Sequence, residues 1–289
     1  MNSKHLHYSY RKKACIMHYS NRKKACVIVI LSLLALFLPA CGLNQAHHTV
    51  ILAGSTSVQP YAEILAEEYA KETGLRVDVQ GGGSSAGITA ARSGTADFGM
   101  SSRHLAGDEM DLWSITIAKD GLAIVVHPSN PVDGLTLEQV RRIYTGEVGD
   151  WSEVGGNEGR IHLVSREAGS GTRSAFEELV MDGLQITPRS IVQDSNGSIR
   201  QIVGGDARAI GFISLGLVDQ TVKGIALDGV EPLSEHVLDG TYDLYRPFLF
   251  VALSEPSGDA KEFIDYIMSA EGQGILENEG LISAAEVVE

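Results

Sequence analysis

From Thr49 onward, short apolar runs alternate with stretches of helical periodicity, and that rhythm predicts the elements one by one. Residues 49–53 form an apolar run of strand length, followed by the turn Gly54-Ser55-Thr56-Ser57. Over about 58–72, Tyr61, Ile64, Leu65 and Tyr69 share one helical face, and Gly74 ends the pattern. Residues 75–80 alternate as a half-buried strand does. The Gly/Ser stretch 81–87 opens a helix through Ala91, and 96–100 predicts a short strand ending in Ser101-Ser102-Arg103. Two further apolar runs, 114–118 and 122–127, predict separate strands, the second carrying the chain into another domain. Beyond the turn cluster 128–134, residues 136–143 predict a short helix. Residues 161–164 predict a strand and 174–180 the first turns of a helix; another helix starts at 194–198 and runs through Val203. The run 209–213 predicts a strand, 246–252 a return crossing, and 259–268 an amphipathic terminal helix. This alternation predicts an α/β fold with a mostly parallel sheet and right-handed crossovers.

The first forty residues follow a different pattern. Arg22, Lys23 and Lys24 precede a 14-residue apolar run to Leu38, then Pro39-Ala40-Cys41. That is short of the roughly 20 residues a membrane span needs; with its basic start it reads as a secretory signal, residues 1–40, ending at a lipobox. Cys41 is the expected lipidation site, and 41–48 a polar tether. Residues 7–15 are nearly repeated as 18–26, with Met17 before the second copy, which suggests a translation start at Met17.

Removing that segment changes the charge. The whole chain carries 23 Lys/Arg and 37 Asp/Glu; seven of the bases and none of the acids precede Cys41, so the remainder is formally −21. Such a chain does not bind nucleic acid through bulk charge. An anion would have to be held by local dipoles and one or two arginines. Cys41 is the one cysteine left, so no internal disulfide is expected.

Four strand-to-helix loops share a hydroxyl- and Gly-rich composition: 54–57, 81–87, 169–172 and 195–198. One such Ser or Thr is ordinarily a helix N-cap. Four of them, at the carboxyl ends of strands, lie where α/β sheets bind ligands. In Ser165-Arg166-Glu167-Ala168-Gly169-Ser170-Gly171-Thr172, free amides and the positive end of a helix dipole favour an anion. Arg166 adds a planar guanidinium able to grip two oxygens of a tetrahedral oxyanion. Nucleotide and hydrolase signatures fit poorly: the Gly/Ser loop has no Walker Lys, and Ser170 is not in a G-x-S-x-G turn. His104, His127, His162 and His236 are isolated, no metal-ligand spacing occurs, and Trp113 and Trp151 read as packing residues. No enzyme activity, metal or cofactor is expected.

The motifs Gly54-Ser55-Thr56-Ser57, Gly82-Gly83-Ser84-Ser85, residues 97–103 and residues 166–172 resemble those of the phosphate-binding proteins (PstS family) of bacterial phosphate ABC transporters. Residues 135–156 and 209–214 extend the resemblance. It implies a periplasmic-binding-protein-like fold of type II: two α/β domains, 49–120 with 246–289 and 121–245, joined by a hinge around a ligand cleft. It implies inorganic phosphate as ligand, contacted by Thr56 with Ser57, Ser84, Arg166, Ser170, Gly171 and Thr172; Ser55 and Ser102 complete the expected set. It further implies a monomer that is lipid-anchored outside the cytoplasm, in the periplasm or on the outer face of the cytoplasmic membrane, and that hands phosphate to an ABC permease. One departure stands out. Many relatives place Asp where this chain has Ser102, and Ser both donates and accepts, so sulfate rejection cannot rest there. Arg103 is either a second cation or a surface residue, and Asp97, Glu167 and Asp194 are candidate acceptors. Receptors for sulfate, molybdate or tungstate are the rival within the fold, and a secreted phosphoryl-transfer enzyme or a phosphate-sensing surface protein the rivals outside it.

Overall fold

The computed structural model describes residues 49–284. Met17, the signal segment, the Cys41 lipobox and the tether lie outside the described residues.

The principal sheet is built from β1 (Val50–Gly54), β2 (Val77–Gly81), β3 (Phe98–Ser101), β4 (Trp113–Val126), β6 (His162–Arg166), β7 (Ile191–Gln193), β8 (Ala209–Ser214) and β11 (Tyr245–Ala252). Their order is β2-β1-β3-β11-β4-β8-β6-β7, and β9 (Lys223–Gly224) and β12 (Ile282–Ser283) also pair with β4. A separate small sheet joins β5 (Gly134–Leu135) to β10 (Ala226–Leu227). Pairing is parallel within β2-β1-β3 and within β8-β6-β7. It is antiparallel where β11 meets β3 and β4 and where β4 meets β8. The expected mostly parallel sheet is therefore a mixed one, because the chain leaves along β4 and returns along β11.

Strand β4 also corrects the expectation of two separate strands. Lys119-Asp120-Gly121 interrupts its apolar pattern but not its pairing, which runs from Trp113–Ala252 through Gly121–Tyr245 and then from Leu122–Ser214 to Val126–Ile210. The polar residues are answered in place: Asp120 by Arg246 and Ser214, and Lys119 by the Tyr245 ring, 4.9 Å from its centroid.

The helices are α1 (Gln59–Thr73), α2 (Ser84–Ser93), α3 (Leu137–Thr145), α4 (Gly171–Leu179), α5 (Asn196–Gly205), α6 (Ser234–Leu238), α7 (Gly258–Ile267) and α8 (Ala270–Asn278). Their ends follow local rules: Gly74, Gly94 and Gly146 cap α1, α2 and α3 in the left-handed conformation, and Thr136 with Gln139 closes a capping box on α3. The C-terminal segment departs from expectation. After α7 the chain adds α8 and β12, tied down by buried Gln273, whose amide donates to Ile117 O and Ile267 O and accepts from Ser283 Oγ and Ala284 N.

Two large apolar cores form among the described residues, beside a small third cluster of Ile88, Leu112, Leu249 and Val251. One gathers Leu52, Tyr61, Leu65, Phe98, Phe248, Phe250 and Phe263; the other gathers Val125, Tyr144, Phe176, Phe212 and Ile213. Phe176 stacks on Phe212 at 4.1 Å in the second core, and Phe98 on Phe250 at 5.6 Å in the first. Burying each such ring contributes on the order of 2–3 kcal/mol, so both cores are anchored by aromatic side chains. Among the described residues, no helix is long and apolar enough to cross a membrane.

Candidate functional site

Between the two cores, the carboxyl ends of β1, β3 and β6 bring their loops together. One wall carries Ser55, Thr56 and Ser57 after β1, Ser84 at the start of α2 and Ser102 after β3; the other carries Arg166 at the end of β6 and Ser170, Gly171 and Thr172 at the start of α4. All but Thr56 are buried. The walls touch: the Ser85 amide donates to Gly169 O at 3.2 Å, and the Ser57 and Thr172 hydroxyls lie 2.8 Å apart. Gly83, at φ +87°, meets Gly169 O, and a Cβ there would stand 3.1 Å from that carbonyl. A Cβ on Gly171 would strike the Ser84 hydroxyl and come within 2.6 Å of Ser102 Oγ. Glycine permits the walls to close to this distance.

Each side chain is fixed by its neighbours. Ser55 Oγ accepts from the Ser57 and Val58 amides at 3.2 and 3.4 Å and donates to Ser102 Oγ at 2.9 Å. The Ser102 amide donates to Ser84 Oγ at 3.1 Å. Arg166 is 1% exposed; its Nη2 donates to Thr56 Oγ1 (3.2 Å) and Asp194 O (2.9 Å), and Nε with Nη2 clasps the Glu167 carboxylate at 3.0 Å. Its Nη1 is buried without a protein partner. A buried guanidinium nitrogen with no acceptor marks where an anionic oxygen would be satisfied.

The bland readings hold for some residues. Ser170 and Ser195 do act as N-caps, accepting from the Arg173 and Ser198 amides. Asp97 accepts from the Ile51 amide through one carboxylate oxygen, and Asp194 accepts from Ser198 Oγ through one of its own. Arg103 is neither a free cation nor a bare surface group: Glu109 grips it at 2.6 and 2.8 Å, and its Nη2 reaches Ser85 Oγ at 3.4 Å. Reciprocally, the Arg103 guanidinium holds the Glu109 carboxyl below its ordinary range. Trp151 packs in the second core with its indole N–H on Arg208 O, and His162 pairs with Asp206.

A second arginine, Arg246, which the sequence did not single out, also reaches the cluster. Arg246 on β11 is 2% exposed and binds Asp120 on β4 through Nε (3.2 Å) and Nη2 (2.9 Å). Nη2 also donates to Ser57 Oγ at 3.2 Å. Burial pushes the Asp120 carboxyl up, against the pull of the facing guanidinium and of Ser214 Oγ at 2.7 Å. Asn196 Nδ2 is a third ligand of Ser57 Oγ, at 2.8 Å. Asp120, Arg246 and Asn196 were legible only as a lone acid, a lone base and an amide: two charges inside apolar runs, and one residue inside a Ser-rich loop. Only the fold shows that they share a partner.

Known proteins provide an external comparison. A model of the PBP superfamily domain matches residues 42–271. The phosphate-binding protein PstS of Bacillus subtilis (strain 168) is 30% identical over 255 residues, covering 86% of this chain and 85% of that one. Among solved structures, a putative phosphate ABC transporter substrate-binding protein from Clostridium perfringens, with bound phosphate, aligns at a TM-score of 0.79 and 43% identity. It covers 82% of this chain and all of that one. An ABC-type phosphate transport receptor from Vibrio cholerae aligns at 0.69 and 40% identity, again over 82% of this chain and 100% of its own.

Proposed function

The chain belongs to the PstS family of phosphate-binding proteins, within the PBP superfamily, and from that premise we propose a two-lobed receptor that closes on inorganic phosphate between its Ser/Thr loops and delivers it to an ABC permease. One lobe comprises 49–120 with 246–289, the other 121–245, and β4 and β11 are the crossings about which they swing. Arg166 supplies the charge, through the nitrogen that no protein group occupies. The hydroxyls of Thr56, Ser84, Ser102, Ser170 and Thr172, with the amides at the α4 N-terminus including Gly171, supply the remaining hydrogen bonds, while Ser55 and Ser57 stand behind them, bonded to Ser102 and Thr172. Transport needs capture and release only, so the protein is a carrier rather than an enzyme. It works as a monomer, tethered outside the cytoplasm through a lipid on Cys41. The observation that carries this reading is the gathering of buried hydroxyls from two walls beside two buried arginines, Arg166 and Arg246, each with an Nη1 that no protein group occupies.

Isothermal titration of the folded protein with phosphate, alone and against excess sulfate, tests it. The expected result is one site per chain that sulfate does not empty. A chain that binds no phosphate overturns the reading. Displacement by equimolar sulfate favours the broader oxyanion receptor, for which the hydroxyl of Ser102 is the specific structural argument.

A further inference from the structure

The hydrogen bonds around Ser57 assign a direction to its hydroxyl. A serine hydroxyl has one proton and two lone pairs. Asn196 Nδ2 donates to Ser57 Oγ at 2.8 Å, and its amide cannot be turned over, because Asn196 Oδ1 accepts the Ser214 amide at 3.3 Å. Arg246 Nη2 donates to the same oxygen at 3.2 Å, and a guanidinium has nothing but donors. Both lone pairs are thus filled. The proton of Ser57 must go to its remaining neighbour, Thr172 Oγ1, at 2.8 Å. Thr172 accepts there and keeps its own proton for whatever lies between the walls.

The opposite wall is polarised the same way. Ser55 Oγ receives two amides, so its proton goes to Ser102 Oγ at 2.9 Å. Ser84 Oγ receives the Ser102 amide, and at 3.4 Å the Ser84 and Ser102 hydroxyls are too far apart for a good O–H···O bond. Their protons also remain for the ligand. The carboxylates nearest the site are already engaged, Glu167 by Arg166 and Asp120 by Arg246 and Ser214. A ligand oxygen bearing its own proton therefore meets donors.

We propose that Arg246 is a positioning residue for the bound oxyanion: through Ser57 it fixes the Thr172 hydroxyl as a donor, so that the site takes the phosphate dianion ahead of the monoanion. This inference rests on the proposed phosphate-binding function. Asp120 balances the charge of Arg246; Arg246 Nη1 is buried without a protein partner, but the orienting contact is the Nη2–Ser57 bond, which Ser57→Ala removes while leaving the guanidinium in place. The charged and titratable groups around the relay are Arg166 and Glu167 at the end of β6, Asp120 on β4, Arg246 on β11, Asp194 before α5, Arg173 on α4, and Tyr61 on α1. No histidine lies among these groups, and Asp120, whose carboxyl burial pushes up, stays in place in Ser57→Ala, so a pH dependence that Ser57→Ala flattens belongs to phosphate and not to Asp120.

The test compares phosphate affinity at mildly alkaline and mildly acidic pH, in a non-phosphate buffer at constant salt, for the wild type and three variants. Asp120→Asn/Arg246→Met removes both charges without stranding either, Ser57→Ala removes the link, and Arg246→Lys keeps a cationic donor. In the wild type, affinity for total phosphate should fall about tenfold or more on acidification, the loss expected when one matched hydrogen bond becomes a donor–donor mismatch. The double variant and Ser57→Ala should flatten that dependence to within about threefold, because a freed hydroxyl turns to accept; Arg246→Lys should keep it. An unchanged pH profile in Ser57→Ala, or in a double variant that still unfolds cooperatively, overturns the proposal. A wild type that binds no phosphate at either pH defeats the functional reading beneath it.

Discussion

Replacing Arg166 by Ala is the most direct test of the site. The guanidinium is 1% exposed, and its Nη1 is the one nitrogen of that group with no protein acceptor. The substitution removes a charge-assisted contact to the anion, and such bonds contribute roughly 1.5–3 kcal/mol each. It also frees Glu167, whose carboxylate Arg166 clasps at 3.0 Å, to repel the incoming anion. Glu167 is 31% exposed, so water screens that repulsion and it adds about 1 kcal/mol at most. Together these give a loss of about 2–4 kcal/mol, or roughly 30- to 1,000-fold in Kd. Titration calorimetry at fixed ionic strength measures it, with thermal unfolding as a control for folding. Arg166→Ala/Glu167→Gln should recover only the Glu167 part, about fivefold. Arg166→Lys should stay weak, because an ammonium cannot span Thr56, the Asp194 carbonyl and the ligand at once. Unchanged affinity in Arg166→Ala would refute the placement of the anion at Nη1.

Gly171→Ala should lower phosphate affinity at least about tenfold with little change in unfolding temperature, since its Cβ meets Ser84 and Ser102 across the cleft; calorimetry alongside a melting curve separates the two effects. Gly87→Ala should instead cost stability, about 1–3 kcal/mol in a denaturant titration, because its Cβ would lie 2.6 Å from Gly54 Cα and 3.0 Å from Met100 O. Asp120→Ala should destabilise by about 3–5 kcal/mol by leaving Arg246 buried and unpaired, whereas Asp120→Asn/Arg246→Met should be far milder; chemical denaturation of both decides. Glu109 titrates below its ordinary value of 4.5 because Arg103 binds its charged form, so its contribution is complete above that pH and is lost as pH falls through the lower folded value. Glu109→Gln should therefore be less stable than wild type at neutral pH and lose less on acidification below 4.5, as read from melting temperature against pH.

Local chemistry was enough to place the parts. The apolar run 49–53, the helical face of Tyr61, Leu65 and Tyr69, and the cap Gly74 depend on neighbours within a few residues, and the elements formed close to where those signals lie. Hydroxyl-rich loops at strand ends likewise pointed to an anion cradle, because amides and dipoles at a helix N-terminus are properties of the segment itself. The sequence did not reveal that Lys119-Asp120-Gly121 continues a strand, nor that β11 turns the sheet mixed. A charge inside an apolar run looks like an interruption until its partner is known, and Asp120 finds its partner 126 residues away in Arg246. The same is true of Ser57. Alone it is one hydroxyl in a turn. Only the packing of β11, α4 and α5 around it, through Arg246, Thr172 and Asn196, fills its lone pairs and gives its proton a direction. The sequence by itself determined which residues bear the chemistry; tertiary structure decided which way their hydrogen bonds run, since that depends on partners brought together from 115 to 189 residues away.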